Sequence, residues 1–222
     1  MIDEKGRPVA AGRDYDRAEI AVDAVVHATG LLLGVVGAAI LVASAARSPG
    51  SDGLPLSIVY VAGLLAMLSF SAAYNLWPIS RIKWFLRRID HSAIYLLIAA
   101  TYTPFIVMMK SGPRAYGLLA GIWMVAAAGI ALKLALPGRF DHLSIALYLL
   151  LGWSGVMLYK PVIAALPAST LWLLAAGGLF YTLGVIFHMW ESLRFQNAIW
   201  HAFVVLAAAC HYTAVLDYLS VA

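Results

Sequence analysis

Apolar residues fall into seven long runs along the chain, at roughly 22–45, 56–77, 90–109, 114–136, 142–159, 166–187 and 198–219. A helix needs about 20 mostly apolar residues to cross a hydrocarbon core, and each run approaches or exceeds that length. The runs are continuously apolar rather than alternating, which argues for helices and against the strands of a β-barrel. The breaks between them carry charge, proline or glycine, as at Arg47-Ser48-Pro49-Gly50, Trp77-Pro78, Lys110-Ser111-Gly112-Pro113, Leu136-Pro137-Gly138-Arg139, Lys160-Pro161 and Glu191 to Arg194. Those are turn and helix-stop signals. The pattern predicts an all-α integral membrane protein, a seven-transmembrane helix bundle. Residues 1–21 read as a polar cytoplasmic N-terminal segment and 22–222 as the transmembrane domain, with no second domain.

Composition supports this reading. Of 222 residues, 63% are apolar and only 12% charged, with a mean hydropathy of +0.87, whereas an ordinary soluble domain is roughly 25% charged. One core cannot hide so much apolar surface. A disordered chain, a coiled coil and a basic nucleic-acid-binding domain are excluded, so the net charge of +4 is a topology signal. The single cysteine, Cys210, permits no internal disulfide. The first 19 residues are polar with no small-residue cleavage site, so the first span is expected to be a retained anchor.

Lysine and arginine give the orientation. Lys5, Arg7, Arg13, Arg17, Arg81, Lys83, Arg87, Arg88, Lys133, Arg139 and Arg194 lie on the N-terminal side, and only Arg47, Lys110, Arg114 and Lys160 on the other. The bias puts the N-terminus in the cytoplasm and the C-terminus outside, in a bacterial-type inner (plasma) membrane. The cluster from Arg81 to Arg88 reads as a topology signal, with an interfacial segment touching anionic headgroups as the second reading.

Ionisable groups inside a membrane are costly and each is a functional hypothesis. With this topology, Asp23, His27, Ser71, Asn75, Asp90, His91, Asp141, His142, His188, Asn197 and His201 all fall in the cytoplasmic leaflet. Ser71 and Asn75 are spaced i,i+4, as are Asn197 and His201, so each pair shares a helix face. His142, His188 and Glu191 sit at span ends, where snorkelling explains them. Asp90 follows Arg87 and Arg88 at the start of span 3, where helix capping and site chemistry are both open. His211 lies about 15 Å deeper than His201 at the helical rise and reads as a structural hydrogen-bonding histidine. Gly30 and Gly34 form a GxxxG pattern that suits packing inside the bundle.

These residues carry a family resemblance. Val26, His27 and Gly30, then Ser69 to Asn75, then Arg87 to Phe105 with Asp90-His91-Ser92 and Thr101-Tyr102-Thr103-Pro104, then Tyr148 to Trp153, then Asn197-Ala198-Ile199-Trp200-His201 with Cys210-His211-Tyr212, resemble in order the motifs of the hemolysin III branch of the progestin and adipoQ receptor (PAQR) family. The resemblance spans residue 18 to the end. It implies seven helices with a cytoplasmic N-terminus, and a zinc ion near the cytoplasmic side held by one histidine of span 2 and two of span 7, beside a span 3 aspartate and a span 2 serine. In this chain the aspartate is Asp90, the serine Ser71 and one histidine His201. The other two positions hold Asn75 and Asn197, and an asparagine carbonyl is a weak ligand beside imidazole.

The leading expectation is therefore a polar pocket in the cytoplasmic leaflet, with Asn75, His91, Asn197 and His27 among its residues, lacking the three-histidine zinc site and acting in membrane or lipid homeostasis or sensing. Membrane lipids are the expected partners, with a bound lipid or fatty acid as pocket ligand, and not nucleic acid. The alternative is a metal-dependent hydrolase of a lipid amide or ester. There His201 would bind metal, Asp90 would orient or deprotonate water, and Ser71 would stabilise the oxyanion. A pore or ion pathway through the polar layer is the third reading.

Overall fold

The computed structural model describes residues 15–47, 52–136 and 140–221. Most of the polar N-terminal segment, with Lys5, Arg7 and Arg13, lies outside the described residues, as do Arg139 and the break at 48–51. The described residues contain helices and short turns and no strand. In chain order the helices are α1 (Arg17–Arg47), α2 (Gly53–Leu76), α3 (Arg81–Met109), α4 (Pro113–Ala135), α5 (Asp141–Trp153), α6 (Tyr159–Ala165), α7 (Ala168–Met189) and α8 (Gln196–Val221). A 3-10 turn at Ser154–Leu158 joins α5 to α6, and these three pieces together make one span, so the described residues hold seven helical segments long and apolar enough to cross a membrane.

Local chemistry sets where the helices begin. Asp16 and Glu19 form a capping box on α1: Glu19 N–H donates to Asp16 Oδ1 at 2.8 Å, and Asp16 N–H donates to Glu19 Oε2 at 3.0 Å. The Glu19 N–H bond is foremost in holding the Asp16 carboxyl below the usual carboxylate range. Span 3 starts a full nine residues before the apolar run suggests. Ser80 caps α3, its Oγ accepting from Lys83 N–H at 3.3 Å, so the basic segment Arg81–Arg88 is the first part of the helix and Asp90 sits inside it rather than at its cap. Lys110 in the left-handed region ends α3, and Gly112, at φ 81°, leads into Pro113 at the first turn of α4.

α3 is central. It packs along α2 and α4 and also touches α8, while α7 packs along α8 and α1 lies against α2 and α8. The main core joins Leu41, Tyr60, Leu64, Met67, Leu97 and Val215 from α1, α2, α3 and α8. A smaller one joins Tyr95, Ala99, Ile122 and Leu151. Gly30 and Gly34 permit the approach of α1 to its neighbours: a Cβ on Gly30 would lie 2.9 Å from Val205 Cγ2, and one on Gly34 2.5 Å from Leu68 Cδ1. The GxxxG face is thus used inside the bundle. Large apolar side chains such as Leu32, Leu150 and Trp172 point outward and are more than half exposed, which suits acyl chains rather than water.

The break in span 5 has a side-chain cause. Tyr102 of α3 donates its hydroxyl toward the carbonyls of Leu151 at 3.0 Å and Gly152 at 2.7 Å, and accepts from Gly155 N–H at 2.8 Å. The tyrosine meets backbone groups freed where the α-helix gives way to the 3-10 turn.

Candidate functional site

Three helices each present an i,i+4 polar pair at the cytoplasmic end of the bundle: Asp23 and His27 on α1, Ser71 and Asn75 on α2, Asn197 and His201 on α8. That spacing places both members of each pair on one helix face. The three faces converge, and four of the six side chains close a hydrogen-bonded ring. His201 Nδ1 lies 2.6 Å from Asp23 Oδ1. Asn197 Nδ2 donates to Asp23 Oδ2 at 2.9 Å and to Asn75 Oδ1 at 3.0 Å. Asn75 Nδ2 lies 3.4 Å from His201 Nε2 and completes the ring.

The direction of each bond follows from one anchor. Asn75 Nδ2 also donates to the Ser71 carbonyl at 2.9 Å, which identifies the nitrogen end of that amide. Asn75 Oδ1 is then the acceptor toward Asn197, and His201 Nε2 accepts from Asn75. His201 therefore carries its proton on Nδ1 and donates it to Asp23. Asp23, His27 and His201 are 4%, 6% and 6% exposed, so these groups face each other with little water between them.

His27 stands beside the ring. Its imidazole is 4.3 Å from that of His201, centroid to centroid, and its Nε2 is 3.6 Å from Asp23 Oδ2. That Nε2 is buried and makes no hydrogen bond among the described residues. Asp90 of α3 is buried and lies close to Ser71, His27 and Arg87.

A narrow cleft reaches this centre from the cytoplasmic side. It is lined by Tyr15, Glu19, Asp23, Asn75, Phe195 and Asn197, among others. Its rim is tied down by Phe195 N–H donating to Glu19 Oε1 at 3.0 Å and by the Arg194–Asp16 ion pair at 3.2 Å. Lys83 Nζ donates to the carbonyls of Asn75 at 3.0 Å and Trp77 at 2.9 Å at the end of α2.

The cytoplasmic polar layer divides into two groups. His91 belongs to the second, with Arg87, Lys133 and Asp141 from α3, α4 and α5. Asp141 accepts from Lys133 Nζ at 2.6 Å and from Arg87 at 2.7 Å, and His91 Nδ1 is 3.9 Å away. Lys133 is 2% exposed and depends on that carboxylate. The Tyr148 hydroxyl donates to the His91 carbonyl at 2.8 Å. Elsewhere, His142 is exposed, His188 packs against Trp200, and His211 Nε2 lies 3.3 Å from the Leu174 carbonyl, where it joins α8 to α7.

Ser71, Asn75, Asn197, His201 and His27 thus meet in one place, with Asp90 on the far side of Ser71 and His91 turned toward Asp141. Asp23 is the member that sequence reasoning did not count in the site. Its signal was available in the i,i+4 spacing to His27, the same spacing found in the other two pairs.

The positions that the resemblance assigns to zinc are Asn75, Asn197 and His201, and they do not fit that ion. Asn75 Oδ1 is taken by the Asn197 amide, Asn75 turns N–H toward His201, and Asn197 turns N–H toward Asp23. The two amides present donors to the centre where ligands would need free lone pairs.

Comparison with known proteins gives a consistent result. The family described as haemolysin-III related matches residues 18–212. Hemolysin-3 of Bacillus cereus is 36% identical over 204 residues, covering 92% of this chain and 93% of that protein. The Hemolysin-3 homolog of Bacillus subtilis (strain 168) is 37% identical over 203 residues, covering 91% and 94%. Monocyte to macrophage differentiation factor of Homo sapiens is 33% identical over 169 residues, covering 72% and 69%.

Proposed function

Because the chain belongs to the haemolysin-III-related family, the hemolysin III branch of the PAQR proteins, we propose that it acts in membrane or lipid homeostasis through the polar centre shared by α1, α2 and α8. It is a seven-helix, multi-pass protein of a bacterial-type plasma membrane. The observation that carries the proposal is the closed ring of Asp23, His201, Asn75 and Asn197. It joins the first spanning helix to the last, and the cleft beside it is lined by Tyr15, Asp23 and Asn197. A polar lipid group at the mouth of that cleft would compete for the hydrogen bonds between Asn197 and Asp23, and changes in the ring pass directly to the packing of α1 on α8.

The test is complementation. In a bacterial host lacking its own relatives of this chain, wild-type protein should shift the phospholipid and fatty-acid profile measured by mass spectrometry. Asp23→Ala, expressed at equal level in the membrane, should not. Equal profiles with and without the wild-type chain would refute the reading.

One observation favours the hydrolase reading: the Asp90 carboxyl and the Ser71 hydroxyl face each other one helix turn from the Asn75 and His201 contact. Turnover of a lipid amide or ester that is lost in Asp90→Asn would establish it in place of the first.

A further inference from the structure

We propose that Asp23, His27 and His201 form a divalent metal site, displaced by one helix from the family position. Among the described residues these three stand out as a group whose donor atoms lie within 4.8 Å of one another, and all three are buried. Their chemistry is one carboxylate and two imidazoles, a donor set that suits zinc with a position left for water.

The geometry is close to what a metal needs. Zinc with donors at about 2.0–2.1 Å in a tetrahedron sets neighbouring donors about 3.3 Å apart. His27 Nε2 and Asp23 Oδ2 are already 3.6 Å apart. His201 Nδ1 and Asp23 Oδ1, at 2.6 Å, share a proton; a cation takes that place by opening the pair by less than about 1 Å, the imidazole proton moving to Nε2 and the Asn75 amide, 3.4 Å away, turning its oxygen to accept it.

The independent pointer is His27. A buried imidazole nitrogen normally finds a partner, because leaving it without one is costly. His27 Nε2 has none among the described residues, yet it is aimed at the carboxylate of Asp23. A cation between the two satisfies it. Asn197 donates to Asp23 and would orient that ligand, as outer groups around metal sites do. Lys83, the nearby cation, is occupied by the carbonyls of Asn75 and Trp77.

The inference goes beyond the homeostasis reading and can fail separately from it. Full-length protein in lipid nanodiscs is stripped with chelator, loaded with zinc, freed of excess metal and analysed by mass spectrometry for zinc per chain. Its thermal midpoint is recorded with and without the ion. Wild type should retain one equivalent and gain thermal stability. His27→Gln, which keeps a polar side chain beside Asp23, should stay close to the metal-free midpoint of the wild type and should bind zinc at least about tenfold more weakly. Asn75→Ala should retain the metal. No retained zinc in wild type overturns the proposal, as does equal retention in His27→Gln. Loss in Asn75→Ala with retention in His27→Gln would restore the family position instead. Stoichiometric zinc with an unchanged lipid profile would uphold this site and remove the homeostasis reading.

Discussion

His201 Nδ1 lies 2.6 Å from Asp23 Oδ1, although the two residues are 178 positions apart. The first and last spanning helices are thereby joined through a buried, charge-assisted contact. Removing one partner takes from the other its shortest contact, in a place where little water can replace it. Asp23→Leu or His201→Leu is therefore expected to cost about 3–5 kcal/mol. The double variant should cost clearly less than the sum of the two, since neither polar group is then left alone. Unfolding of the four proteins in detergent, followed as a double-mutant cycle, checks this, and simple additivity would count against the contact.

The second polar group makes an asymmetric prediction. Asp141 is shared by Lys133 and Arg87, so Asp141→Asn leaves two cations uncompensated, one of them 2% exposed. Lys133→Met removes a buried charge and leaves Arg87 on Asp141. Asp141→Asn should lower the thermal midpoint more than Lys133→Met, with a loss of several kcal/mol against roughly 1 kcal/mol.

Much of this architecture is legible in the sequence because bilayer thickness acts on it directly. Run length gives the seven spans. The start of α3 is not legible, because Arg81 to Arg88 reads as a charged loop until Ser80 is seen capping a helix there. The break in span 5 is hidden for a different reason: its cause, Tyr102, is about 50 residues away and acts on backbone groups. The i,i+4 pairs are visible, but which pairs face each other depends on how each helix is rotated. His27 and His91 illustrate this. Both stand ten residues beyond the first residue of their helix, yet one points at Asp23 and the other at Asp141.

Tyr102→Phe isolates the span 5 break. It strips the carbonyls of Leu151 and Gly152 and the N–H of Gly155 of a shared partner. A loss of about 1–3 kcal/mol is expected. Hydrogen exchange should rise at residues 151–158 while α2 and α3 stay protected.

A pair of glycines separates packing from propensity. A Cβ on Gly177 would overlap the His211 ring and lie 3.2 Å from the Ala207 carbonyl, whereas one on Gly121 meets nothing within 4 Å. Gly177→Ala should therefore destabilise by about 1–3 kcal/mol through overpacking. Gly121→Ala should be neutral or slightly stabilising, as alanine favours helix. Thermal melts of the two variants decide it.

Anomalous diffraction at the zinc edge, on crystals of the zinc-loaded protein, reads the polar centre most directly. The expected map has a peak among Asp23, His27 and His201, with the Asn197 amide still turned toward Asp23. A peak held instead by the Asn75 and Asn197 side chains together with His201 would contradict the ring and return the metal to the family position.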